Sequence, residues 1–314
     1  MVLAAMILPF FCGTSASAAV LKKAELTAVI NEVKLLEPNS GERGARVKDV
    51  VEGKTGVKTG IKSRAELLFQ DRTLTRLGAN TIFSFSEGTR DLELENGTML
   101  LQCPKGVGGA KIRTAAVTAA ITGTTILLEY SPAPIPKRRP GYIPTIAEMT
   151  PEECFAELQH PRRNYTKAEL SLLTAKARKR KKGGSGGYVK VLVLEGTLRL
   201  YLNTRVGESV LISAGHMIIL DPQAITIPPS VEFDIGKLAE TSLLVNNDAW
   251  SGKATDLNMA AVTREASIQD GLKGSGQLLV TNLVIPGAGT EVFTISQIQQ
   301  ANEAIEISAA NAST

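Results

Sequence analysis

Metal and nucleophile chemistry have little to work with in this chain. Of 314 residues, two are histidine and three are cysteine. No CxxC pair occurs, and His160 and His216 stand alone, which excludes the usual structural zinc sites. There is no phosphate-binding loop and no dinucleotide fingerprint. Gly183 to Gly187 formally matches G-x-S-x-G, but a nucleophile elbow needs a strand before the serine and a helix after it. Here a lysine run precedes and a strand pattern follows, so the stretch reads as a linker. Aromatic residues make up only 4% of the chain, and the net charge of +4 is too slight to mark a nucleic-acid binder. No run approaches the ~18 apolar residues of a membrane span. The expectation is a protein with no catalytic residues, no cofactor and no metal.

What is present is β pattern. The central stretch is Lys111 to Tyr130. Val117, Ala119 and Ile121 share one face of a strand, then Ile126, Leu128 and Tyr130 share a face one residue out of phase. A strand repeats every two residues, so such a slip turns the buried face over. Gly123 sits at the slip and predicts a bulge or bend between two strands.

The same kind of pattern extends both ways. Ala28 to Leu36 predicts one strand, and Val47 to Gly60 two short strands around Glu52-Gly53. Ala65, Leu67 and Phe69 alternate before a turn at Asp71-Arg72, and Thr73 to Leu77 returns. Gly78-Ala79-Asn80 turns again, with Phe83 and Phe85 facing inward. Leu92 and Leu94 alternate with Asp91, Glu93 and Glu95, which read as a solvated outer face. Asn96-Gly97 then predicts a hairpin, with Thr98 to Cys103 returning. After Tyr188, Val189, Val191 and Val193 alternate, Glu195-Gly196 turns, and Leu198, Leu200 and Leu202 return. Val210 to Ile212, Met217 to Leu220 and Ile225 to Ile227 follow, and Pro228-Pro229 ends the series. Strands of this length with turns this frequent mean an all-β sandwich, barrel or solenoid.

Between the halves, Ser131 to Gly187 breaks the pattern. A proline-rich start gives way to two capping boxes, at Thr150 to Glu153 and Thr166 to Glu169. They predict an α-helical hairpin inserted between adjacent strands, carrying Cys154, Phe155 and Leu158 on one helix and Leu170, Leu172 and Leu173 on the other. The second helix ends in Lys176, Arg178, Lys179, Arg180, Lys181 and Lys182. This basic end reads either as a contact for an anionic polymer or lipid headgroup, or as a solvated helix end with cations complementing the dipole.

At the N-terminus, Met1 to Ala18 reads as a cleavable export signal, with an apolar stretch from Val2 to Phe11 and small residues at Ala16-Ser17-Ala18. Bulky Phe11 before Cys12 argues against a lipoprotein anchor. Export would permit a disulfide between Cys103 and Cys154, whereas Cys103, on a strand face with Met99 and Leu101, favours a buried free thiol. The expected organisation is a signal over 1–18, β structure over 28–130 and 188–232, the insert over 131–187, and a short helix with a loosely attached, low-complexity tail over 233–314.

These motifs in this order resemble the FecR protein domain family. The carriers are KTGIKSRAELLFQDRTLTRLGANTIFSF, LELENGTMLLQCPKG, KIRTAAVTAAITGTTILLEY, and VKVLVLEGTLRLYL followed by VLISAGHMII, spanning about Val47 to Ile219. On this resemblance Arg113, Thr114, Ala120, Ile121, Gly123, Thr124, Glu195 and Gly196 are fold-defining. The resemblance implies a non-enzymatic β domain of short stacked strands, a β-sandwich or solenoid-like body. Family members in iron-uptake signalling pass a signal from an outer-membrane receptor to a cytoplasmic anti-sigma segment through a membrane span. Here an export signal stands at the start instead. Two departures are the insert and Arg72, where the family's turn usually has glycine. A positive φ would be costly for arginine, so a different turn type is expected there.

The functional expectation is an exported binding or scaffold module of the bacterial cell envelope, in the periplasm or at the cell surface. Its partner would be an envelope protein or an anionic polysaccharide and not nucleic acid. The alternative is a periplasmic signal-transduction module acting with a separate membrane partner.

Overall fold

A computed structural model describes residues 20–132, 145–147, 149, 154, 165–177, 187–205, 207–250, 252–255, 257–285 and 289–294. The stretch read as an export signal, 1–18, therefore lies outside the described residues. So do most of the first insert helix, His160, and the basic run beyond Ala177.

The body is two facing antiparallel sheets joined by one shared strand. Sheet 1 runs, in spatial order, β4 (Val50–Glu52), β1 (Lys23–Ile30), β6 (Arg64–Phe69), β7 (Leu74–Leu77), β9 (Asp91–Gln102), β12 (Thr125–Ser131), β13 (Tyr188–Glu195), β16 (His216–Leu220), β17 (Val231–Phe233), β19 (Gly289–Thr294) and β18 (Leu278–Ile285). Sheet 2 runs β3 (Gly41–Gly44), β2 (Val33–Glu37), β5 (Gly56–Thr59), β8 (Ile82–Phe85), the first half of β9, β10 (Gly109–Arg113), β11 (Val117–Thr122), β14 (Thr197–Leu202) and β15 (Ser209–Ser213). The pairing of β9 with β10 is parallel. The all-β expectation with a helical insert is met.

The chain crosses repeatedly between the sheets, and the phase slips mark the crossings. Val117, Ala119 and Ile121 point into the sandwich from sheet 2, and Ile126, Leu128 and Tyr130 point into it from sheet 1. The bend between them is Gly123, at φ +58°, where a Cβ would come within 2.5 Å of the Lys105 side chain. The same slip separates Val189, Val191 and Val193 from Leu198, Leu200 and Leu202 across Gly196.

Asn96-Gly97 uses the same device, and this corrects the hairpin expected there. β9 is one twelve-residue strand that passes straight through Asn96 and Gly97. Leu92 and Leu94 face inward in sheet 2, Met99 and Leu101 face inward in sheet 1, and Gly97 at φ +102° lets the strand change sheets without reversing.

Four further expectations are corrected. The β domain starts before residue 28, since β1 begins at Lys23 and Leu21 bridges to Thr89. Arg72 does take a positive φ, +65°. Its N–H donates to Phe69 O at 3.0 Å and Phe69 N–H to Thr73 O at 2.9 Å, a turn whose last residue must be left-handed. The Asp71 carboxylate accepts from Thr73 N–H and Oγ1 and holds the loop closed. Residues 225–227 form no strand; sheet 1 resumes beyond the two prolines, at β17, where backbone N–H groups are free to pair.

The stretch after Asn246 is also not loosely attached as far as Leu278. Helix α2 (Ile235–Thr241), a 3-10 turn at Asp248–Trp250 and a helix of fifteen residues, Ala260–Gly274, lie on the outer face of sheet 1. Phe233, Ile235, Leu238, Leu244, Val245, Trp250, Leu257 and Val262 bury Ala28, Leu74, Leu100, Leu127, Leu192, Leu194 and Met217 of that sheet.

A buried charge pair ties this cover down. Arg76 and Glu66, neighbours on β7 and β6, have no solvent-exposed side-chain surface and meet at 2.8 Å. Arg76 also donates to Leu244 O, Asn247 Oδ1 and Thr255 O, and its guanidinium lies over the Trp250 ring at 4.9 Å. Glu66 Oε1 accepts from Thr255 N–H and from Thr27 Oγ1.

In the insert, the second capping box forms as read. Thr166 N–H and Oγ1 donate to the Glu169 carboxylate, Glu169 N–H donates back to Thr166 Oγ1, and the helix runs Lys167–Ala177. It is the first helix of the described chain, α1; the Ala260–Gly274 helix is therefore α3. Of its three leucines only Leu173 is buried, with Ile146, Met149 and Cys154; Leu170 and Leu172 are exposed. Cys103 and Cys154 are both buried, in separate clusters, and are not joined in a disulfide.

Candidate binding surfaces

The residues read as fold-defining lie along β11 and at its two ends, Arg113 and Thr114 at one and Gly123, Thr124, Glu195 and Gly196 at the other. Thr114 makes the tight turn between β10 and β11: its Oγ1 accepts from Ala116 and Val117 N–H, and its carbonyl accepts from Asn203 Nδ2. Ile121 is in the core, while Ala120 lies on the outer face of sheet 2, opposite Arg199. Arg113 reaches Asp91 at 3.4 Å on that same face. Thr124 donates its hydroxyl to Thr197 O, pinning the Gly123 crossing to the Gly196 crossing; a Cβ at Gly196 would sit 3.0 Å from Gly123 O. Glu195 accepts from Thr125 Oγ1 and lies 3.4 Å from Lys105.

The basic run itself falls outside the described residues apart from Lys176 and Ala177, but its root is well defined. The insert leaves β12 after Ser131 and returns at Tyr188, and these two residues are paired. Tyr188 donates its hydroxyl to Glu129, and Lys190 reaches the same carboxylate at 2.8 Å. A groove of about 470 Å³ adjoins this root, lined by Lys62, Arg64, Leu127, Glu129 and Leu243 among others.

Burial, and secondarily the bond to Glu129, pushes the Tyr188 phenol up to about 12. The unfolded chain loses this proton near 10, so between about pH 10 and 12 the folded state holds more protons and stability falls as pH rises. Denaturation midpoints of the protein and of Tyr188→Phe, followed across that window, should show a shallower decline in the variant. Equal slopes would refute this.

A second cleft, of about 690 Å³, opens between sheet 1 and the start of α3. Leu68, Leu74, Pro104, Ala260 and Ala261 supply apolar lining, and Arg72, Lys105 and Arg264 bring positive charge. Gln102 and Asn258 close one wall through reciprocal bonds of 2.9 and 3.0 Å. No sign of this site is legible along the chain, because its sides lie more than 150 residues apart and no local periodicity joins them.

The remaining polar candidates stay apart. His216 opens β16 and lies 3.8 Å from Glu232, whose carboxyl is raised by burial. Glu93 and Glu95 are exposed on the outer face of sheet 2. Among the described residues no group of three or more His, Cys, Asp or Glu is arranged to hold a metal, and no helix is long and apolar enough to cross a membrane.

Comparison with known proteins gives one family. No curated protein matches the sequence. Two crystal structures of "a putative anti-sigma factor" from Parabacteroides distasonis ATCC 8503 are similar at 10% and 8% identity, over 76% of this chain and 98% of theirs. Their TM-scores, 0.34 and 0.33, are too low to carry an argument. The family model described as FecR protein matches residues 55–135, from the turn before β5 to just beyond β12. Over that span, the chain carries a FecR protein domain.

Proposed function

We propose that this chain is an exported, non-enzymatic binding module of the bacterial envelope, in which the sandwich is the scaffold and the insert is the recognition element. The observation behind this is the register of β12 and β13. Tyr130 faces Val189 and Ser131 faces Tyr188, so the segment between them departs and returns at one point, and its described residues add no strand to the sheets. Such an appendage varies without disturbing the scaffold, which is where specificity tends to sit. Its buried cluster of Ile146, Met149, Cys154 and Leu173 gives it a small core of its own. The basic run from Lys176 to Lys182 suits an acidic envelope protein or an anionic polysaccharide, and the export reading rests on Met1 to Ala18.

The test is capture from envelope extract. The protein from Ala19 would be compared with a version in which 132–187 is replaced by Asn-Gly, a two-residue turn suited to closing paired strands. Both must show the same β-rich circular dichroism. Capture of one identified partner by the full protein alone, weakened by salt, is the expected result.

A second reading, a signalling module that works with a separate membrane protein, draws on the family match, which ends at residue 135 and so leaves out nearly all of the insert. Capture of the same membrane protein by both versions would favour it and sink the first.

A further inference from the structure

The cleft beside α3 is independent of the insert and has a lining suited to a ligand of its own. We propose that it binds a small amphipathic anion, an apolar body that ends in a carboxylate or phosphate.

Size and lining come first. About 690 Å³ lies within the range of small-molecule sites, roughly 300–1,000 Å³. Leu68 and Leu74 belong to sheet 1, Pro104 follows β9, and Ala260 and Ala261 begin α3, so an apolar body meets apolar surface on several sides.

Charge comes second. Three cations, Arg72, Lys105 and Arg264, line the cleft against one carboxylate, Glu195. Glu195 is already engaged by Thr125 and Lys105. Arg72 and Arg264 have no carboxylate partner among the described residues, whereas Arg43, Arg76, Arg90 and Arg113 each sit on one. They enter from different elements, the β6–β7 turn and α3, so one anionic head between them would receive planar donors from two directions. The first turn of α3, which lines the cleft at Ala260 and Ala261, adds the positive end of a helix dipole.

The third observation is strain. Arg72 occupies the left-handed region at φ +65°, where glycine is the unstrained choice. The hydrogen bonds of the turn hold it there and fix its place among the residues that line the cleft.

Calorimetric titration of the protein with decanoate, decyl phosphate, decanol and acetate tests the idea. One or both of the ten-carbon anions should bind, and the tighter of the two names the head group. Decanol, without the charge, and acetate, without the body, should each bind at least about tenfold more weakly. Arg72→Gly should lower anion affinity by about tenfold or more while leaving the melting temperature unchanged or raised, because the strained turn relaxes. Arg264→Gln should weaken binding in the same direction. Decanol binding as tightly as decanoate, no binding by either anion, or Arg72→Gly leaving affinity intact would each overturn the proposal.

Discussion

Replacing Arg76 with methionine should lower the stability of this protein by about 3–5 kcal/mol, the usual cost of leaving one member of a buried ion pair alone. Glu66 would remain fully buried, with only Thr27 and Thr255 to answer its charge. The loss would not stay local. Arg76 also satisfies the carbonyls of Leu244 and Thr255 and the side chain of Asn247, so the cover would lose its main polar tie. Denaturant unfolding measures the first effect. Limited proteolysis measures the second, with new cleavage expected between Leu244 and Leu257. The double variant Glu66→Leu with Arg76→Met should recover much of the stability, since a matched apolar pair leaves no orphaned charge. A single variant within about 1 kcal/mol of the parent would show that solvent reaches the pair.

The second large effect belongs to Gly97. An alanine there would place its Cβ 2.5 Å from the Thr81 Cα and 2.3 Å from its hydroxyl, at a φ of +102°. Backbone cannot step aside as a flexible side chain does. Strained φ costs about 1–3 kcal/mol and overpacking about 1–3 kcal/mol, so Gly97→Ala should lose roughly 2–6 kcal/mol. Gly88→Ala is the control: its φ is +77° with nothing within 4 Å of the new carbon, so it carries the backbone cost alone. If both substitutions cost the same in thermal or chemical unfolding, the close approach of Thr81 to the bend is not what holds β9 in place.

Gly97 also shows how far the sequence can be read. The slip in alternation at Gly123 was legible because nothing competed with it, and it correctly marks a strand crossing between sheets. At Asn96-Gly97 the same slip is present, between Leu94 and Met99, but the dipeptide is also a strong hairpin signal, and local turn chemistry competes with the phase. What decided the matter was tertiary: Thr81 and Asn80 lie against the bend, and Asn96 donates to Asn80 O. Arg72 departs from the expected turn for a related reason. The hydrogen bonds of the turn and the Asp71 carboxylate hold it in a conformation its own preference disfavours.

The cover after Phe233 was the least legible part. Its composition is poor in aromatics and rich in small polar residues, which reads as a tail. Its attachment depends on one tryptophan, scattered aliphatics and carbonyls that answer Arg76, and none of these is periodic. The cleft followed the same rule, since half of it belongs to that cover. The second capping box is readable because it is local.

The position of the cover in the chain has a consequence for synthesis. Sheet 2, and sheet 1 as far as β16, are made by Leu220, yet the face of sheet 1 that carries Leu74, Leu100, Leu127, Leu192 and Met217 waits for residues 233–262. A chain emerging N-terminus first at roughly 5–20 residues per second would hold that face open for a few seconds. An apolar face of that kind is sticky while it is bare. The growing chain therefore has a window in which a chaperone, or a second unfinished copy, competes with residues 233–262 for the same surface. A version cut at Glu232 would never leave that window.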